Sequence, residues 1–102
     1  IDLRRYQAAI QSLDNLLKEY PETRRAAQIR FMATKAAYDF AQASFVELQQ
    51  DRYEEAIERA EYFLRRYPES EQRNEVNQFL ERATARLHEL QDVRYQSQGS
   101  RS

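Results

Sequence analysis

Apolar residues recur at helical spacing over four stretches of the chain. In the first, Tyr6, Ala9, Ile10, Leu13, Leu16, Leu17 and Tyr20 fall on one face. In the third, Tyr53, Ala56, Ile57, Ala60, Phe63, Leu64 and Tyr67 do the same. The second stretch is apolar on two sides. Ile29, Met32, Ala33, Ala36, Phe40 and Ala43 form one face; Phe31, Tyr38 and Phe45, seven residues apart, form the other. A helix of that kind is sandwiched between neighbours. Ala33, Ala36, Ala37, Ala41 and Ala43 would let those neighbours come close. The fourth stretch has a single stripe, Val76, Phe79, Leu80, Ala83, Leu87 and Leu90. Pro21 and Pro68 disfavour helical geometry at Tyr20 and Tyr67, which ends the first and third helices there. Thr23 and Ser70 are then the expected N-caps of the second and fourth. Asp51 with Glu54 has capping-box spacing and predicts the start of the third helix.

The four stretches are two copies of one unit. Arg5-Tyr6-Gln7-Ala8-Ala9-Ile10 recurs as Arg52-Tyr53-Glu54-Glu55-Ala56-Ile57, and Tyr20-Pro21-Glu22-Thr23 as Tyr67-Pro68-Glu69-Ser70. The offset is 47 throughout, and eight of the nineteen positions from 5–23 match 52–70 identically. The same offset carries Ile29 to Val76, Met32 to Phe79, Ala36 to Ala83 and Phe40 to Leu87. The fold class is therefore all-α, with tandem tetratricopeptide-like helix hairpins and about four main helices. Residues 1–92 hold the two repeats, at about 3–49 and 51–92; residues 93–102, including Gln-Ser-Gln-Gly-Ser-Arg-Ser, read as a polar, frayed tail. A one-sided last helix suits a C-terminal cap. The usual tetratricopeptide period is about 34 residues, so about 13 are extra. They are expected to lengthen the second helix and its exit around Ala41–Gln50, where no Gly or Pro intervenes.

Composition adds exclusions. One Gly and two Pro leave too few turn residues for a sheet protein. The net charge of -1 gives no global attraction to nucleic acid or anionic lipid. No apolar run reaches the roughly 18 residues of a membrane span. With no cysteine there is no disulfide and no thiolate chemistry, and the compartment is left open. The lone Gly sits in the tail, so no phosphate-cradling loop is expected. His88 stands alone and off the apolar stripe, and the Glu54/Glu55 pair lies on a charged face. Both read as solvated surface, so no cofactor, metal site or catalysis is expected. The chain begins at Ile1 without a signal-like segment, so any targeting signal is expected outside it.

One surface row stands apart. Glu55, Arg59, Tyr62 and Arg66 follow i, i+4, i+7, i+11 spacing, read as lying opposite the core stripe of the third helix. Tyr and Arg are enriched at binding hot spots. The row is the candidate partner-binding surface. In the competing reading, Glu55–Arg59 is an ordinary helix ion pair and Tyr62 leans on a neighbouring helix.

Arg52-Tyr53-Glu54-Glu55-Ala56-Ile57-Glu58-Arg59-Ala60-Glu61-Tyr62-Phe63-Leu64-Arg65-Arg66-Tyr67-Pro68-Glu69-Ser70 closely resembles a repeat of the BamD family of outer-membrane assembly lipoproteins. So does Ala36-Ala37-Tyr38-Asp39-Phe40-Ala41-Gln42-Ala43-Ser44 ahead of it. The resemblance covers roughly 5–90 and looks like the C-terminal half of that family. It implies a subunit of the β-barrel assembly machinery on the periplasmic face of the outer membrane, held by a lipid anchor outside this sequence. It also implies a protein partner, the POTRA domains of the barrel-forming subunit. Arg59, eight residues before Tyr67 of the Tyr-Pro turn, sits where a family docking arginine would lie. The alternative is a tetratricopeptide adaptor of another periplasmic or cytosolic complex.

Overall fold

A computed structural model describes residues 2–99. Among them there are four helices and no strand: α1 (Leu3–Glu19), α2 (Ala26–Ala43), α3 (Val46–Arg66) and α4 (Arg73–Gly99). Each helix packs on the next, and α4 also reaches α2.

The sequence repeat is a backbone repeat. Tyr20 and Tyr67 end α1 and α3 at nearly the same dihedrals, φ -130° and ψ 66° against φ -130° and ψ 62°. The Thr23 amide donates to the Tyr20 carbonyl and the Ser70 amide to that of Tyr67, both at 3.1 Å. Arg25 N–H donates to Thr23 Oγ1 at 3.2 Å, and Gln72 N–H to Ser70 Oγ at 3.1 Å. Thr23 and Ser70 thus brace the turn before each second helix. They are not its N-cap, because α2 begins only at Ala26, behind Arg25.

The helix expected to be sandwiched is so. Phe31 packs against Phe63 and Phe79, each with ring centroids 6.3 Å away. Tyr38 stacks on Phe79 at 5.1 Å and meets Tyr53 edge-on at 6.3 Å. On the other side of α2, Phe40 meets Tyr6 of α1. The core therefore runs through α2, α3 and α4, with Phe63, Ala60 and Val76 fully enclosed. Phe45 does not join this face. It lies beyond the end of α2 and is 70% exposed, and Met32 on the α1 side is 46% exposed.

The junction between the repeats differs from the expectation. The extra residues do not extend α2 toward Gln50. α2 stops at Ala43 and α3 starts at Val46, so Asp51 and Glu54 lie inside α3 and cap nothing. Side chains make the break in place of Gly or Pro. Ser44 Oγ donates to the Phe40 carbonyl, a bond that competes with the helical ladder. The buried Gln49 amide then donates to the carbonyls of Gln42 (3.3 Å) and Ser44 (3.1 Å), which α2 leaves open at its end. Its oxygen accepts from Arg86 of α4 at 3.2 Å. At the other end, α4 runs to Gly99, so the backbone stays helical through most of the stretch read as a polar tail. Residues 100–102 of that stretch lie outside the described residues.

Candidate functional site

Helices α1 and α3 are the equivalent first helices of the two repeats, and they lie side by side over α2. Among the described residues no Cα of α1 comes within 8 Å of α3. A groove separates them, and side chains alone cross it. Arg59 of α3 reaches Asp14 of α1 with a two-point contact, Nη1 to Oδ1 at 3.0 Å and Nη2 to Oδ2 at 2.8 Å. Its Nε also donates to Glu55 Oε1 at 3.3 Å. The hydrogen bond to Asp14 holds the Arg59 guanidinium above its already high pKa, against a lesser opposing effect of burial.

This crossbar stands between two cavities. One, of about 480 Å³, lies among Leu17, Arg30, Thr34, Glu58, Tyr62 and Arg65. The other, of about 650 Å³, lies among Gln7, Ile10, Gln11, Lys18, Phe40, Asp51 and Arg52. Asp14 borders both. Their walls mix charges of both signs, which suits a protein surface better than a polyanion.

The structure keeps the predicted row together but changes its setting. Glu55, Arg59, Tyr62 and Arg66 all lie on α3. They do not simply face away from the core, because Arg59 and Tyr62 border the groove. The Tyr62 ring lies under the Arg30 guanidinium of α2, 4.6 Å from its centroid, and is still 39% exposed. Arg66 is exposed and packs over Tyr67 at 5.2 Å. Arg59 is the most enclosed of the four, its side chain 22% exposed against 60% for Glu55.

Sequence reasoning missed Asp14 and Arg30. A signal for Asp14 was present. Residues one repeat apart occupy neighbouring equivalent places, and Asp14 and Arg59 are opposite charges 45 positions apart, near the offset of 47. Arg30 carried no comparable signal, since its contact with Tyr62 depends on how α2 is rotated beneath α3. His88 is exposed, and among the described residues no three His, Cys, Asp or Glu side chains are grouped to hold a metal ion. Nor is any described helix long and apolar enough to cross a membrane.

A comparison with protein families gives a match to the YfiO family, described as outer membrane lipoprotein, over residues 2–98. No curated protein matches the chain.

Proposed function

The chain belongs to the YfiO family of outer membrane lipoproteins, BamD-like scaffold proteins of outer-membrane assembly, and from that premise we propose that its second repeat docks a POTRA-type domain of the barrel-forming subunit. The docking surface is the α3 row of Glu55, Arg59, Tyr62 and Arg66, with the groove beside it. The work is binding, not catalysis, and it places the chain at the periplasmic face of the outer membrane.

The observation that carries this reading is the position of Arg59. It lines one cavity of the groove together with the part-exposed Tyr62, and it holds Asp14, which borders both cavities. A guanidinium has five N–H donors, and three are used within the chain. An arginine beside an exposed aromatic, partly shielded from water, is the composition of an interface hot spot. Tyr62 is held in place by Arg30, so little order is lost when a partner covers it.

The test is a charge reversal, Arg59→Glu, with affinity measured by calorimetry against a purified POTRA array of the same machinery. The expected loss is at least tenfold, about 1.4 kcal/mol, with helical content unchanged by circular dichroism. Unchanged affinity removes the site.

A further inference from the structure

Four arginines among the described residues are half-buried: Arg30, Arg52, Arg59 and Arg86. A guanidinium donates hydrogen bonds from its edges and stacks on rings with its face. Three of the four use their edges within the chain. Arg59 donates to Asp14 and Glu55. Arg52 donates to Ser44 Oγ at 2.7 Å, and Arg86 to Glu89 at 3.0 Å and Gln49 at 3.2 Å. Arg30 of α2 is the exception. Its guanidinium lies over the Tyr62 ring, and among the described residues its edges meet no acceptor and no carboxylate. We infer that Arg30 is a further contact residue of the docking surface, and that its donors take main-chain carbonyl oxygens of the partner. The inference rests on the docking reading above. It adds a residue from α2 and names the group presented to it.

Arg30 lines the cavity of about 480 Å³, beside Leu17, Ala33 and Tyr62. Among the described residues no sealed side-chain nitrogen or oxygen lacks a partner, so the Arg30 donors are open to water. A partner that covers Tyr62 also covers the guanidinium stacked on it. Leaving those donors without an acceptor costs more than one hydrogen bond contributes, so the covering surface must bring one.

Two acceptors are common on a protein surface, the carboxylate and the main-chain carbonyl. The charges of the cavity wall favour the second. Arg30, Arg59 and Arg65 stand with Asp14, Glu58 and Glu61, three of each sign. Arg59 and Asp14 are paired with each other. That leaves Arg30 and Arg65 against Glu58 and Glu61, two of each sign, and both glutamates are exposed. An incoming acid finds no net field there, and its attraction to Arg30 is offset by repulsion from the glutamates. A carbonyl takes the same donors without that repulsion.

The test uses the full chain and a purified POTRA array, with calorimetry. Arg30→Met keeps an unbranched apolar stem and removes the donors. It should bind about threefold to tenfold weaker, the range of a net hydrogen bond. The ratio to the native chain should be the same at about 0.05 M and about 0.5 M salt, since a neutral acceptor has no charge to screen. Arg30→Gln, neutral but still a donor, should bind better than Arg30→Met. Arg30→Met should also weaken binding in a Tyr62→Ala background, because Arg30 touches the partner itself. Arg82→Met, the same change of charge at an exposed position of α4, should bind as the native chain does. Native affinity in Arg30→Met means that water serves these donors in the complex, and overturns the inference. A loss that fades with salt, or Arg30→Gln no better than Arg30→Met, marks an acid and overturns it as well. So does a loss that vanishes without Tyr62, which makes Arg30 a prop for that ring, or an equal loss in Arg82→Met, which marks net charge. These outcomes leave the docking site in place. Unchanged affinity in Arg59→Glu is what removes that site.

Discussion

Tyr53 lies in the aromatic cluster beside Tyr38 and is 4% exposed. Burial, and then the neighbouring Tyr38 hydroxyl, push its phenol above the ordinary value of 10.0. The neutral form is thus favoured in the folded chain. The unfolded chain releases this proton first, so the contribution to stability is complete below pH 10.0 and is lost as pH rises through the higher folded value. Tyr53→Phe, with the ring retained, should change neutral-pH stability by less than about 1.5 kcal/mol. It should also flatten the loss of stability above pH 10, read by urea denaturation along a pH series. Parallel curves for the two proteins would mean that Tyr53 does not titrate differently on folding. At this scale the sequence was half legible. Tyr53 could be placed in the core by spacing, and the Glu55–Arg59 pair by its four-residue separation. Asp14 left a fainter trace, an opposite charge close to one repeat length from Arg59, while Arg30 left none, because its contact with Tyr62 depends on how α2 is rotated beneath α3.

Helices, as elements, were easier to read than the joints between them. Proline positions located the ends of α1 and α3 because proline acts through sterics local to the chain. The α2–α3 joint has no such residue. It is made by Ser44 and Gln49, whose effect depends on contacts across five to seven residues and with α4. Asp51 and Glu54 have capping spacing but sit a turn or more inside α3, where amides already have partners. The joint should therefore be fragile at Gln49. Gln49→Ala leaves two carbonyls and one arginine contact without their partner, in a site closed to most water. The expected cost is about 1–3 kcal/mol, measured by chemical denaturation. Gln49→Glu should do no better, since a carboxylate cannot donate to the carbonyls. A cost within about 0.5 kcal/mol, the range of an ordinary surface change, would show that the joint holds without this side chain.

Across the whole molecule, the two repeats share a pattern but not an environment. Leu16 is 40% exposed while its repeat mate Phe63 is fully buried; Met32 is 46% exposed while its mate Phe79 is 8% exposed. The difference comes from α2, whose second face covers α3 and α4 through Phe31 and Tyr38. No helix among the described residues does this for α1, which has no buried side chain at all. At the far end, the α4 positions that match Phe31, Tyr38 and Phe45 are Gln78, Ala85 and Asp92, so that side of α4 offers no comparable aromatic face. The two-sidedness of α2 was visible in the sequence, but the inequality of the repeats in burial was not, because matched apolar stripes say nothing about what lies on top of them. That inequality has a measurable consequence. Phe63→Ala should cost about 3–5 kcal/mol, as a large deletion from a closed core. Leu16→Ala should cost well under about 2 kcal/mol, since solvent already reaches the side chain and no cavity forms. Urea denaturation of the two variants compares them directly. Equal losses would mean that the first repeat is as tightly covered in solution as the second, by some contact that α2 alone does not supply.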